Sequence, residues 1–180
     1  MKRVNEIYDH PVFQEKFRAL QEAEKDRLFC KHTLEHLIDV ARLMYIYALE
    51  HDLSISKELI YATALMHDIG RIDQIEQGTP HEQAGAVLCD VILPECGFSA
   101  EETEVVKAAI LHHRNEPSEN LSDKNLCEKD MFDEKKMVCE NDHLCEILYR
   151  ADKKSRNCFA CEMKKECNWD EEKMNLNIEY

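Results

Sequence analysis

The stretch ATALMHDIGR, residues 62–71, places an imidazole and a carboxylate side by side at the end of an apolar run. If this stretch forms the last turn of a helix, His67 and Asp68 lie about 100° apart, and both side chains can reach one cavity. Histidine supplies a borderline nitrogen ligand and aspartate a hard oxygen that can bridge two ions, a pair suited to Zn, Fe, Mn or Ni. An ordinary helix end that stops at Gly70 has the same pattern, so the metal interpretation depends on ligands elsewhere.

Further candidate ligands stand at the ends or on the faces of the other predicted helices: His32, His36, His81, His112, His113 and Asp152. His32 and His36 are four residues apart and therefore share one helix face. A carboxylate on an apolar face, as at Asp152, needs a partner, and a metal is a good one. Packing pairs, or histidines that complement a helix dipole, would explain the same histidines without a metal.

Composition favours one helical domain. The chain has 180 residues, of which 44% are hydrophobic, and only four glycines and four prolines. These values predict a real core and long helices rather than a turn-rich β architecture. The net charge of −14 argues against a general nucleic-acid or anionic-membrane binder. A negatively charged substrate would therefore need a local cationic pocket.

The sequence predicts a cytoplasmic protein with reduced thiols. No apolar run reaches the roughly 18 residues of a membrane span, and the opening MKRVNEIYDHPVF lacks the apolar core of a signal peptide. The nine cysteines are an odd number without an export signal. We therefore expect free or metal-binding thiols rather than disulfides.

Capping residues and apolar periodicity predict the helices. The capping box of Ser99 and Glu102 marks one helix start. Residues 70–80 are predicted to be a loop, since Gly78, Thr79 and Pro80 interrupt any helix. Residues 116–140 are polar, acidic and without a period, which predicts an irregular insert. The predicted helices run over 11–29, 31–50, 57–69, 81–93, 100–114 and 141–155.

The C-terminal tail, residues 157–180, carries three closely spaced cysteines: Cys158, Cys161 and Cys167. A C-x2-C pair followed by a third cysteine supplies soft ligands for a structural zinc or an iron–sulfur site. Cys145 and Cys139 are the candidates for a fourth ligand. Free thiols that bind no metal are an alternative for the same residues.

The order and spacing of His36, His67, Asp68 and Asp152 resemble the HD-domain superfamily of metal-dependent phosphohydrolases, over residues 31–156. His36 is a better match than His32, because Val40 and Ala41 follow it at the family's spacing. The other histidines, His81, His112 and His113, resemble those of the binuclear subgroup. The resemblance implies a single all-α helical bundle over residues 1–156, followed by the cysteine-rich tail.

The resemblance also implies a mechanism. One ion would be held by His36, His67, Asp68 and Asp152, and Asp68 would bridge to a second ion held by His81, His112 and His113. Asp68 and Arg71 are the expected catalytic residues, and Arg114 is a further cation for the phosphoryl oxygens. The expected substrate is a nucleotide or another small phosphorylated molecule. Arg71 replaces the lysine found in many members, and the Gly-Tyr-Pro signature of the cyclic-dinucleotide enzymes is absent.

Two other functions fit the same ligands. Some HD proteins use this ligand set for oxygen chemistry, which makes a di-iron oxygenase one alternative. The other is a metal-dependent sensor or scaffold without catalysis, whose cysteine tail binds a partner. His32 is expected either to contact a metal ligand or to bind a metal itself.

Overall fold

The computed structural model describes residues 1–114 and 133–178, with side chains from residue 142 onward in the second range. Within these ranges the chain is helical and contains no strand, which confirms the predicted all-α class. Two single-turn 3₁₀ helices lie in the tail, at Cys158–Ala160 and Lys164–Glu166. The α-helices are α1 (Lys2–Asp9), α2 (Pro11–Ala23), α3 (Leu34–Glu50), α4 (Lys57–Met66), α5 (Arg71–Gln77), α6 (His81–Glu95), α7 (Ala100–His112) and α8 (Asp133–Lys154).

Helix α4 lies at the centre of the bundle. It contacts α1, α3, α6, α7 and α8. Nearly every residue from Leu59 to Met66 is buried, as expected for a helix that is apolar on all sides. Helix α8 packs against both α3 and α7, and α6 packs against α7. The His67–Asp68 pair directly follows α4 and therefore lies in the middle of the molecule.

Two glycines allow α6 to approach the end of α4 closely. A Cβ on Gly70 would collide with the backbone carbonyl of His81 and would come within 2.6 Å of the Gly85 nitrogen. A Cβ on Gly85 would lie 3.3 Å from Ile110 on α7. The sequence marks 84–86 as small residues suited to such an approach, and the structure brings the first turn of α6 directly against Gly70.

Side-chain caps set the starts of the main helices. Thr33, Ser56 and Ser99 accept hydrogen bonds from the backbone nitrogens of the first turns of α3, α4 and α7. The predicted capping box is confirmed, because Ser99 and Glu102 bond reciprocally. Thr33 explains why α3 begins at Leu34 rather than at Lys31.

The predicted loop over residues 70–80 is wrong, since α5 occupies most of it. This helix has seven residues and ends at Gln77, and Gly78, whose φ of 76° is left-handed, caps it. Tertiary contacts stabilise it: Ile72 is buried, and Lys16 of α2 bonds Asp73 at 2.6 Å. A local sequence pattern cannot show such contacts. It showed only the residues that interrupt a helix at the end of this segment.

Other boundaries differ less. Helix α2 ends at Ala23, earlier than predicted, and α8 begins at Asp133, within the predicted irregular insert. Residues 116–132 of that insert lie outside the described residues. Among the described helices, none combines the length and apolar character that a membrane crossing requires.

Candidate metal centre

Five helices deliver histidine and aspartate side chains to one buried point. His36 comes from α3, His81 opens α6, and Asp152 lies near the end of α8. His67 and Asp68 directly follow α4, and His113 directly follows α7. The side chains of His67 and His81 are fully buried, and that of Asp68 is 2% exposed. Burying so many polar groups requires partners for all of them.

The ligand atoms form two groups that share Asp68. In each group the atoms lie within 4.8 Å of one another. The first group is His36, His67, Asp68 and Asp152, and the second is Asp68, His81 and His113.

The two oxygens of Asp68 face different groups. Oδ2 lies 3.0 Å from Nε2 of His67 and 3.4 Å from Nε2 of His36. Oδ1 lies 3.6 Å from Nε2 of His81 and accepts a hydrogen bond of 3.1 Å from Nε of Arg71. A carboxylate with one oxygen toward each group has the geometry of a bridging ligand.

Each histidine holds its Nδ1 against a hydrogen-bond acceptor. Nδ1 of His67 lies 2.7 Å from the Ala64 carbonyl, and Nδ1 of His113 lies 2.5 Å from the Ile110 carbonyl. Nδ1 of His81 lies 3.0 Å from Oε1 of Gln74. Carbonyl oxygens only accept, so we assign the ring proton to Nδ1 in each case. This arrangement leaves Nε2 with its lone pair directed at the site, as in metal-binding histidines.

Nδ1 of His36 also faces a hydrogen-bond acceptor, which in this case is a hydroxyl oxygen. The Oγ of Ser155 donates to the Asp152 carbonyl at 2.7 Å, so it accepts from Nδ1 of His36 at 3.1 Å. Nε2 of His36 accepts a hydrogen bond of 2.9 Å from Arg156. A metal bound at His36 would replace that hydrogen bond.

Two observations show that the residues fit divalent ions. Nε2 of His67 is buried and has no hydrogen-bond partner. Nε2 of His81 faces Nε2 of His113 at 3.2 Å, although both rings carry their proton on Nδ1. Two lone pairs that face each other in a buried site repel unless a cation lies between them, and nitrogen and oxygen donors suit Fe, Mn, Zn or Ni.

The electrostatics of the centre favour a bound cation. Burial would lower the pKa of His67, but Asp68 and Asp152 outweigh it and raise that pKa to about 10. Burial would raise the pKa of Asp68, but His67 and His32 hold it well below its usual range. The carboxylates therefore attract positive charge, which is a proton when no metal is present.

The imidazoles of His36 and His81 are neutral near pH 7. Burial lowers the pKa of His36 to about 4. Burial and then the charge of Arg71 lower the pKa of His81 to about 3. Neutral imidazole is the form that binds metal, so these side chains need no deprotonation first.

His112 is not brought to the centre. Its side chain is exposed and belongs to neither ligand group, whereas His113 is buried in the second group. The end of α7 is oriented so that His113 faces the site and His112, about 100° away, faces solvent. Of the second predicted ligand set, the structure brings His81 and His113 together with Asp68 but leaves His112 outside.

The two predicted cations lie at different distances from the centre. Arg71 contacts Asp68 directly and also donates to Gln74 at 3.2 Å, with 28% of its side chain exposed. Arg114 is exposed, and its guanidinium lies 3.9 Å from the carboxylate of Glu82. Arg71 therefore stands beside the candidate ions, and Arg114 stands at the periphery.

His32 contacts the centre from outside both ligand groups. Its Nδ1 lies 2.7 Å from the buried carboxylate of Glu24, and its Nε2 lies 3.6 Å from Oδ2 of Asp68. The ring thus links Glu24 to the bridging carboxylate.

Sequence reasoning missed Gln74 and Arg156. Gln74 orients both His81 and Arg71 from the helix that was predicted to be a loop. Arg156 is buried and lies 3.7 Å from Oδ1 of Asp152, in addition to its bond to His36. Its spacing of one helical turn after Asp152 was the available signal.

Comparison with known proteins agrees with this all-α fold. A protein of Clostridium beijerinckii that is named only as uncharacterized is 38% identical over 180 residues, which span the whole of both chains. The crystal structure of a "predicted HD superfamily hydrolase" from an uncultured Thermotogales bacterium is 22% identical. Its TM-score is 0.56, and the match covers 92% of this chain and 83% of that one. The family model named "HD domain" matches residues 33–157, and this chain therefore belongs to the HD domain family.

Proposed function

We propose that this protein is a metal-dependent phosphohydrolase that acts on a nucleotide or another small phosphate ester. The observation that carries the proposal is the shared carboxylate of Asp68, which turns one oxygen toward each of two ligand groups. Paired ions of this kind activate a water molecule and stabilise the charge of a phosphoryl group in transfer.

Different residues of the chain would hold the two ions. His36, His67 and Asp152 would hold one ion, and His81 and His113 would hold the other, with Asp68 between them. The Nδ1 hydrogen bonds to Ala64, Gln74, Ile110 and Ser155 keep each ring in place. Ligands fixed in this way need little rearrangement when the substrate binds.

Arg71 is the residue proposed to contact the phosphate. Guanidinium matches phosphoryl oxygens in shape and charge, and this one stands 3.1 Å from the bridging carboxylate. Arg71 and Asp152 are partly exposed, at 28% and 20%, whereas the histidine ligands are almost fully buried. A substrate would therefore approach from the side of Arg71. In a chain of net charge −14, a local cation is needed to admit an anion.

The test is a panel of phosphate esters, including nucleotides, with protein loaded anaerobically with Fe, Mn, Zn or Ni in turn. We expect one metal to support release of inorganic phosphate from at least one ester. Oxygen consumption without phosphate release would support the di-iron oxygenase instead. Full metal loading with no turnover of either kind would support the sensor or scaffold.

A further inference from the structure

A second cluster of metal-ligating side chains lies outside the histidine and aspartate centre. A small cavity is lined by four free cysteines, three from the tail and one from the loop before α3: Cys30, Cys158, Cys161 and Cys167. The sequence predicts the three tail residues together but misses Cys30, which is 128 residues away from Cys158 along the chain. Only the folding of the tail onto the loop between α2 and α3 brings the fourth thiol to the site.

The structure does not support Cys145 as the fourth ligand. Its side chain lies on α8 and packs against the hydrophobic core of the bundle. It does not line the cavity that the other four share. The side chain of Cys139 lies outside the described residues. Cys30 completes a set of four without either of them.

We propose that Cys30, Cys158, Cys161 and Cys167 bind a [4Fe–4S] cluster that fastens the tail to the loop before α3. Four thiolates are the usual ligand set of such a cluster. The proposal is independent of the reaction at the histidine centre.

The spacing of the sulfurs favours a cluster over a single ion. A zinc ion with Zn–S bonds of ~2.3 Å in tetrahedral geometry requires sulfurs ~3.8 Å apart. Among the described cysteines, no three sulfurs lie within 4.8 Å of one another, although His and Asp ligands elsewhere in the chain meet that limit. In an iron–sulfur cube each cysteine binds a different iron, so the sulfurs stand farther apart around a larger centre.

The surroundings of the cavity suit a negatively charged cluster. Lys164 lines the cavity. Arg156 lies beside the loop that carries Cys30, since its guanidinium donates to the Lys31 carbonyl at 3.0 Å. The backbone nitrogen of Trp169 donates to the sulfur of Cys167 at 3.5 Å. Cations and N–H groups near the sulfurs stabilise the excess negative charge of four thiolates around a cluster.

The contacts of the tail with the bundle contribute little to keeping the tail ordered. Beyond Lys154 its regular structure in the described residues is limited to two single-turn helices, and most of its side chains are exposed. Asn175 connects the far end of the tail to the bundle by bonding the Lys154 carbonyl at 3.0 Å and accepting from the Phe159 nitrogen at 2.9 Å. Burial on this scale offsets little of the entropy lost when some twenty residues are ordered. A cluster would supply the missing stabilisation.

The test measures iron and acid-labile sulfide in protein purified without oxygen. Sulfide is specific to the cluster, because ions at the histidine centre bring none. We expect about four sulfides per chain in the wild type and near zero in Cys30→Ser. The matched control Cys145→Ser should keep the wild-type value. Circular dichroism checks that both variants are folded.

Three results would overturn the proposal. Wild-type protein without sulfide, before and after reconstitution with iron and sulfide, would exclude the cluster even if Cys30→Ser failed to fold. One equivalent of zinc that is lost in Cys30→Ser would identify a zinc site. Loss of sulfide in Cys145→Ser with retention in Cys30→Ser would show that Cys145, and not Cys30, is the fourth ligand. Sulfide content does not depend on phosphatase activity, so failure of the proposed function leaves this result unaffected.

Discussion

The histidine and aspartate centre and the cysteine cavity both gather metal-ligating side chains, but different forces hold them. Ligands of the centre stand on or next to helices of the bundle, and His67, Asp68 and His81 are almost fully buried. Of the tail cysteines only Cys158 is buried, while Cys161 and Cys167 are partly exposed. Core packing therefore forms the centre before any ion binds, whereas, if the cysteines bind the proposed cluster, the order of the tail would depend on it.

This difference gives the two sites opposite roles. The bundle has a contiguous hydrophobic core that includes α4, so a metal at the centre would serve chemistry more than folding. The tail contributes little to that core, so the proposed cluster would serve structure. We expect changes at either site to leave the other intact, and the following experiments test that separation.

The largest effect is expected for Asp68→Ala. The substitution removes the one carboxylate common to both ligand groups, so the centre should lose both ions and activity should fall to background. The helical circular dichroism spectrum and the sulfide content of the tail should persist. Asp39→Ala, which removes an exposed carboxylate paired with Arg42, is the control. A variant with wild-type metal content and activity would contradict the assignment.

The second largest loss of activity is expected for Arg71→Ala. Loss of one charge-assisted contact of about 1.5–3 kcal/mol predicts a fall of roughly 10- to 100-fold in kcat/KM on a phosphate ester. Metal content should not change. Arg42→Ala, an exposed arginine on α3, is the control. Normal hydrolysis by Arg71→Ala would remove Arg71 from the mechanism.

His32→Ala tests whether a side chain outside both ligand groups affects the metal content or the rate. Since His32 links Glu24 to Asp68 without belonging to either group, we expect both ions to stay and the rate to fall about tenfold. Elemental analysis and steady-state kinetics measure the two effects. The exposed His51→Ala should change neither. Loss of a whole metal equivalent in His32→Ala would mean that His32 is itself a ligand.

Cys161→Ser should loosen the tail alone. If the tail depends on its cysteine ligands, limited proteolysis after residue 157 should become several-fold faster, since cleavage follows the population of the open form. Ions at the histidine centre should remain, and Cys145→Ser should match the wild type. Loss of the histidine-bound ions in Cys161→Ser would show that the two sites are not separate.

The smallest effect concerns the N-terminal helix. Arg3 bonds Glu58 of α4 and Glu102 of α7, both at 2.7 Å, and these partly exposed pairs contribute about 1 kcal/mol to the free energy of unfolding. Its hydrogen bond lowers the pKa of Glu58, and it lowers the pKa of Glu102 against the effect of burial.

Carboxylates with lowered pKa values stabilise the fold above their unfolded pKa of about 4.3, and that contribution is lost as the pH falls through the folded values. The deficit of Arg3→Met in urea unfolding should therefore be full at pH 7 and should shrink below about pH 4.3. Lys2→Met, which removes an exposed pair with Glu6, is the control. A deficit that is the same at pH 7 and pH 4 would show that packing, not charge, is lost.

Local patterns were enough to predict the helical class, the main helices and most of the ligands. Capping residues such as Ser99 and apolar periodicity act within a few residues, so they can be read without a fold. Residue types and helix positions made His36, His67, Asp68, His81, His113 and Asp152 candidates, along with His32 and His112, and the resemblance to the HD-domain superfamily grouped them into one site.

Tertiary structure decided the rest. The rotation of α7 against its neighbours chose His113 over His112, and packing of Ile72 and Asp73 made a helix of a segment that carried only stop signals. Cys30 joined the tail cysteines, and Arg156 reached His36, across more than a hundred residues of chain. Contacts of that kind depend on how helices pack, and the free energy of packing is a property of the whole core rather than of any local stretch.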